Sequence, residues 1–253
     1  MSDLQLNGKR VIVTGAAGGL GRAFCESLAA AGAKVVAADI DEAGAAQTAK
    51  DICANGDTCI SGGVDVASGE SCDALIAQVV NAFGGVDVLV NNAALYGTLN
   101  RAPFEQLEDA EWDRVLSVNV KGVWNMTRVA SNALKASGSG SIINIASATV
   151  YSGSPEWMHY VASKGAVIAM TRVMAKELGG DNVRANVIAP GITLTEASMT
   201  LMDDAKTYGA SRAALKRNGE VDDICGGVLY LASDLSKYTS GQTLVIDGGK
   251  QFI

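Results

Sequence analysis

KRVIVTGAAGGLGRAFCESLAAAGAKVVAAD, residues 9–39, decides the fold. Lys9 to Thr14 is an apolar run that ends abruptly in glycine, the pattern of a buried strand. Gly15, Gly18, Gly19 and Gly21 follow at once, with Leu20 among them. From residue 19 onward Leu20, Phe24 and Leu28 fall four apart, on one stripe of a helix. Lys34 to Ala38 is a second apolar run, and it closes in Asp39. Glycines at such a strand-to-helix turn let the backbone bend sharply and approach a pyrophosphate, while the helix N-terminus offers free N–H groups. A glycine-rich turn alone is weak evidence; its place between strand and helix, with an acidic residue after the next strand, makes it specific. Asp39 at that place accepts hydrogen bonds from both hydroxyls of an adenosine ribose; its other reading is an N-cap for the following helix. A carboxylate there repels a 2′-phosphate, and Ala16, Ala17 and Ile40 supply no cation to attract one. The cofactor this predicts is NAD.

The same alternation continues. Residues 42–54 read as helix, 57–66 as extended, and 68–83 as a helix with Leu75, Ile76, Val79 and Val80 facing inward. Asp87 to Val90 is a fourth strand, closing in Asn91-Asn92-Ala93. A long helix is predicted over 108–136, its acidic start suited to the helix dipole. Strand 141–146, helix 157–178 and strand 183–189 follow, broken by Pro190-Gly191. Residues 195–216 read as a helical insertion, 222–233 as a helix and Thr243 to Ile246 as a last strand. Alternating strands and helices imply an α/β protein: a doubly wound parallel sheet of about seven strands, covered on both faces. No repeat, linker or low-complexity segment interrupts it, so residues 1–253 are read as one domain with a substrate-side insertion near 195–216.

With 48% apolar residues in 253, the chain has ample material for a core. A net charge of −7 argues against nucleic acid as a partner. No run is long and apolar enough for a membrane span, and the first ten residues hold no apolar leader. Five cysteines without CxxC spacing read as reduced thiols in a cytoplasmic protein. A single histidine argues against a His-built metal site, so no metal is expected.

Chemistry is expected from NIASATVYSGSPEWMHYVASK, residues 144–164. Tyr160 and Lys164, at i and i+4, share a helix face. A free tyrosine ionises near pH ~10, and a fixed ammonium beside it favours the phenolate. Ser147, just past strand 141–146, is placed to donate to the same substrate oxygen. His159 is tempting as a base, but successive helical residues point about 100° apart, so a structural role is favoured.

Together these residues resemble the short-chain dehydrogenase/reductase family, from about Leu6 to Gly249. The family's TGxxxGxG corresponds to Thr14 to Gly21, its NNAG to Asn91-Asn92-Ala93-Ala94 with alanine last, and its YxxxK to Tyr160 and Lys164. Its PG motif is similar to Pro190-Gly191. The resemblance implies a Rossmann-type fold and a catalytic set of Asn119, Ser147, Tyr160 and Lys164, with Asn119 holding a water that links Lys164 to solvent. It also implies that Asp65 and Val66 flank the adenine. Ile40, Asn92 and Ala93 would line the cofactor, and Pro190, Thr193 and Thr195 would meet its nicotinamide end. It further implies a homotetramer.

Residues just after these elements are expected to meet the substrate: Ala94, Leu95, Tyr96, Ala148, Thr149, Tyr151, Gly153, Trp157, Leu194, Met199 and Met202. They are mostly apolar or aromatic and include no Arg or Lys, which points to a neutral, fairly apolar secondary alcohol or its ketone, aryl-alkyl or cyclic in type. Two alternatives are a 3-oxoacyl thioester reductase, which the acidic composition and Asp39 disfavour, and a non-catalytic dinucleotide sensor, which the complete catalytic set disfavours.

Overall fold

A computed structural model describes residues 6–201 and 204–253. Its centre is one parallel sheet of seven strands: β1 Arg10–Thr14, β2 Lys34–Asp39, β3 Cys59–Gly63, β4 Val88–Asn91, β5 Ser141–Ile145, β6 Arg184–Pro190 and β7 Thr243–Ile246. Their order across the sheet is β3-β2-β1-β4-β5-β6-β7. The helices are α1 Gly19–Ala30, α2 Glu42–Ala54, α3 Gly69–Phe83, α4 Asp109–Leu116, α5 Gly122–Ala136, α6 Thr149–Ser152, α7 Met158–Leu178, α8 Glu196–Leu201, α9 Ala205–Arg212 and α10 Val221–Ala232.

The continuous apolar strands follow from burial on both faces. Along β1, Val11 and Val13 join one core with Phe24 and Leu28 of α1, Ile52 of α2, and Ile224 and Leu231 of α10. Ile12, between them, points the other way, into a core with Leu75 and Val79 of α3 and Met126 and Leu134 of α5. That alternation is the period of two of a strand, used here to serve two layers of helices.

Strand order reverses between β1 and β4, and a crevice opens at the carboxyl ends of such strands. Polar side chains stitch this junction. Thr14 Oγ1 accepts from the N–H groups of Asn92 and Ala93, both at 3.0 Å. Asn92 Nδ2 donates back to the Thr14 carbonyl at 2.9 Å. Deeper, Asn91 Nδ2 donates to Asn144 Oδ1 at 2.8 Å, and Asn144 Nδ2 to Thr171 Oγ1 of α7 at 2.8 Å. Buried and linked in this way, the amides fix β4, β5 and α7 in register, with Asn91 Oδ1 alone among their side-chain oxygens left without a partner.

Two predictions are corrected. The helix expected over 108–136 is two α-helices joined by a π turn, Ser117–Lys121, and the extra residue in that turn carries Asn119 into the interior. Inserted turns of this kind are concentrated at functional sites. On α3, Leu75 and Val79 are buried as predicted, but Val80 is 41% exposed, because its position lies past the edge of the stripe that meets the sheet. A turn of helix at Thr149–Ser152 was not anticipated at all.

Candidate active site

The glycine turn is built as the sequence suggests. Gly15 and Gly19 have φ of +69° and +53°, a left-handed backbone that side chains rarely adopt. A Cβ on Gly21 would lie 1.9 Å from the Gly15 carbonyl oxygen, so only glycine lets α1 approach the turn this closely. Gly18 and Gly19 instead face open space, and no side chain caps α1. The open cradle at a helix N-terminus fits a diphosphate.

Asp39, at the end of β2, accepts from the Ala17 N–H at 2.9 Å and the Asp41 N–H at 3.0 Å. Its N-cap reading is excluded: Asp41 caps α2, accepting from the Gly44 N–H at 3.1 Å. Asp39 is instead a carboxylate pinned at the rim of a cavity of about 750 Å³. Gly15, Gly18, Gly19, Leu20, Gly21, Ile40, Asp65, Val66, Asn92, Ala93, Pro190, Thr193 and Thr195 line the same cavity. So do Ser147, Tyr160 and Lys164. This set of donors and apolar walls, with Asp39 at the rim, fits a nicotinamide adenine dinucleotide. Asp39, Ile40, Val64, Asp65 and Val66, which line the cavity without a cation among them, would take its adenosine end.

At the other end three rings box the reacting hydroxyl. Tyr96 lies 5.6 Å from Trp157 and 5.4 Å from Tyr160, and Trp157 lies 5.8 Å from Tyr160. Trp157 packs edge-to-face on Tyr96 and Tyr160, and Tyr96 is tilted 47° to Tyr160, contacts that lock the rings. Ser147 Oγ accepts from Thr149 Oγ1 at 2.9 Å and from the Thr149 N–H at 3.2 Å, so its own proton remains for another acceptor. Lys164 Nζ donates to the Ile145 carbonyl at 2.8 Å and stands 5.7 Å from the Tyr160 ring.

The expected lowering of the Tyr160 pKa is not what the ligand-free chain shows. Burial pushes the hydroxyl well above its usual value, Tyr96 adds to this, and the Ser147 hydrogen bond opposes it. Burial also pulls Lys164 down to about 8. Both groups are disfavoured in their charged forms because both sit in the same dry pocket. This has a consequence for stability. Lys164 titrates near 10.5 in the unfolded chain and about 8 in the folded one, so between those values the unfolded chain binds the extra proton. Stability contributed by this residue is therefore gained as pH rises through that window, by up to about 1.4 kcal/mol per unit. The buried thiols of Cys25, Cys59 and Cys72, held neutral by burial, act oppositely above about pH 9. Comparing wild type with Lys164→Met cancels them. The difference in unfolding free energy is expected to move in favour of wild type between pH 8 and 10.5; a flat difference would show that Lys164 is not desolvated.

Asn119 is buried but does not line the cavity. Its Oδ1 accepts from the Leu95 N–H at 2.8 Å, and its Nδ2 donates to the Leu95 carbonyl at 3.3 Å and to Ser163 Oγ at 3.1 Å. Ser163 Oγ in turn donates to the Tyr160 carbonyl at 2.7 Å. The side chain thus ties the Leu95 loop to α7 and positions Tyr160. His159 is fully buried, and its Nε2 stands 3.6 Å from Glu111.

Of the predicted substrate contacts, Ala94, Leu95, Tyr96, Ala148, Thr149 and Trp157 line the cavity. Tyr151 does not: the turn of α6, closed by Gly153 at φ +58°, directs it onto the cluster of Val123, Val167 and Ile168. Gly153, Leu194 and Met199 lie outside the lining, and Met202 lies outside the described residues. Arg101, Tyr208, Arg212 and Lys250 line the cavity without having been anticipated. Nothing local marks them; Arg101 comes from the segment between β4 and α4, and the others arrive through the insertion and the C-terminal loop. Among the described residues no cluster of His, Cys, Asp and Glu is arranged to hold a metal ion, and no helix is long and apolar enough to cross a membrane. Four of the five cysteines are buried and all are free.

A family model described as enoyl-(acyl carrier protein) reductase matches residues 15–251. The chain is 37% identical over 251 residues to the 3-oxoacyl-(acyl-carrier-protein) reductase FabG of Thermotoga maritima, covering 97% of this chain and 99% of that one. It is 35% identical to the short chain dehydrogenase/reductase astE of Aspergillus oryzae, covering 98% and 97%. A gluconate 5-dehydrogenase from Burkholderia cenocepacia, solved with NADP and tartrate, superposes with a TM-score of 0.92 at 34% identity over 98% of this chain and 97% of that one. With this sheet, this glycine turn and these relatives, the chain belongs to the short-chain dehydrogenase/reductase family and is an oxidoreductase of that family.

Proposed function

We propose that the chain is an NAD-dependent dehydrogenase that interconverts a secondary alcohol and its ketone. The observation that carries this is the meeting of Tyr160, Lys164 and Ser147 with the glycine turn and Asp39 in one cavity. When bound, the nicotinamide supplies the hydride chemistry. In oxidation Tyr160 takes the hydroxyl proton of the alcohol, and in reduction it returns a proton to the carbonyl oxygen. Ser147 donates its free proton to that oxygen and steadies the charge that builds there. Lys164 Nζ is held on the Ile145 carbonyl, 5.7 Å from the Tyr160 ring, where its ammonium would favour the phenolate and would hydrogen-bond the nicotinamide ribose. Asn119 and Ser163 hold the tyrosine-bearing turn in place. The three-ring box fits an apolar, aryl-alkyl or cyclic body beside the carbinol carbon. Because Asp39 selects a free 2′-hydroxyl, the favoured direction is oxidation of the alcohol.

The relatives named as 3-oxoacyl reductases favour a second reading, reduction of a 3-oxoacyl thioester. Side-by-side rates for a simple aryl ketone with NADH and a 3-oxoacyl thioester with NADPH separate the two. We further propose that residues 1–253 act as one domain in the cytoplasm and assemble as a homotetramer through α5, α7 and β7. Trp124 and Val173, 49% and 55% exposed, stand on α5 and α7 and support that choice. Light scattering at micromolar protein is expected to give about four times the 25.9 kDa of one chain; a mass near one chain would contradict the assembly.

A further inference from the structure

The cavity that holds the aromatic box is also lined by Tyr208 and Arg212 of α9 and by Lys250 of the C-terminal loop. Both cations converge on one ring. The Arg212 guanidinium carbon stands 3.9 Å from the Tyr208 ring centroid, and Lys250 Nζ stands 4.9 Å from it, 3.4 Å from the Tyr208 hydroxyl. Among the described residues neither has a carboxylate within 4.0 Å, whereas Arg101, also in the lining, is paired with Glu156 at 3.0 Å. Among the described residues, Asp204 and Asp247 lie close in the chain. Asp204 lines the cavity without pairing to either cation, and the Asp247 carboxylate is occupied by the N–H groups of Gly249, Lys250 and Gln251 at 2.8 to 3.0 Å.

The juncture that brings them together is built closely. The Leu215 N–H donates to the Gly248 carbonyl at 3.0 Å, and Gly248 and Gly249 take φ of +68° and +79°. A Cβ on Gly249 would lie 2.9 Å from the Ala214 Cβ, so the loop rests against the end of the insertion only as glycine. Bringing two like charges to one ring costs Coulomb energy that the ring face offsets only in part. A bound anion removes that cost. The spot is local, since the chain as a whole carries −7, and a cleft of opposite sign concentrates anionic ligands at its own mouth.

We propose that the substrate of this site carries a carboxylate at the end remote from the carbinol, and that Arg212 and Lys250 hold it. This rests on the dehydrogenase reading above and extends it: an apolar body in the aromatic box, an acid group at the insertion. The test is calorimetric binding to the Tyr160→Phe chain loaded with NADH, which removes turnover from the measurement. Acetophenone is compared with 4-acetylbenzoate and with its homologues bearing one or two further methylenes before the acid. The best carboxylate is expected to bind at least about tenfold tighter than acetophenone, the scale of a charge-assisted hydrogen bond. Arg212→Met and Lys250→Met are each expected to cut that advantage, and together to bring it within about threefold of parity. The proposal is overturned if no carboxylate gains over the neutral ketone, or if the gain survives the double substitution. It is equally overturned if the substitutions weaken NADH while the carboxylate advantage stands, which would assign the cations to the cofactor's phosphates. Absence of turnover in wild type, with the binding advantage intact, counts against the dehydrogenase reading alone.

Discussion

Tyr160→Phe is expected to lower alcohol oxidation and ketone reduction by about 10²-fold or more, the scale on which a positioned general acid–base group acts. The substitution keeps the ring, and with it the packing against Tyr96 and Trp157, and removes only the proton-bearing oxygen. Folding and dinucleotide binding should therefore persist. Wild-type oxidation should also rise with pH, because its proton acceptor must be the ionised hydroxyl, while reduction should fall. The sign follows from burial, which holds the proton on Tyr160 in the ligand-free chain. Turnover within about threefold of wild type in the variant would remove Tyr160 from the mechanism. Parallel pH slopes in the two directions would do the same.

Asp39→Ala is expected to weaken NAD binding and leave NADP relatively improved. In wild type the carboxylate is held by the Ala17 and Asp41 N–H groups and presented at the rim of the cavity. A free 2′-hydroxyl gains a charged hydrogen bond there, worth about 1.5–3 kcal/mol, and a 2′-phosphate meets a like charge instead. Wild type should prefer NAD by more than roughly tenfold and up to a few hundredfold in kcat/KM. The alanine variant should lose affinity for NAD and improve, relatively, with NADP. Ile40→Arg added to it should improve NADP further by pairing the phosphate, since Ile40 is 73% exposed and lines the same cavity. The Burkholderia gluconate 5-dehydrogenase was solved with NADP, so family membership alone does not decide between the two.

What could be read from the sequence was what lies close along the chain. The turn from Thr14 to Gly21 needs glycine for backbone reasons that are local, and β1, α1 and Asp39 follow it directly. Tyr160 and Lys164 are one helical turn apart, so their shared face needs no tertiary knowledge. Failures came where distant segments meet. Arg212 and Lys250 share a ring only because the insertion and the C-terminal loop touch, and no periodicity announces that. Residues beside the catalytic elements therefore gave no sign of Arg212 and Lys250 in the cavity lining. Tyr151 was misplaced because a single helical turn, too short to show a period, swings it off the pocket. The Tyr160 proton was misjudged for a related reason: spacing shows the neighbouring lysine, but the burial that depresses that lysine and raises the tyrosine is a property of the folded pocket.

The central claim is an NAD-dependent oxidation of a secondary alcohol in the cavity that joins Asp39 to Tyr160. Its most direct test is to give the wild-type chain a panel of secondary alcohols and ketones, with carboxylate-bearing members included, in the presence of NAD(H) or NADP(H). The reduced nicotinamide is followed by its absorbance. The account predicts alcohol-dependent formation of NADH at a rate that exceeds NADPH formation by more than roughly tenfold in kcat/KM. Turnover confined to a 3-oxoacyl thioester with NADPH, or equal use of the two cofactors, would contradict it.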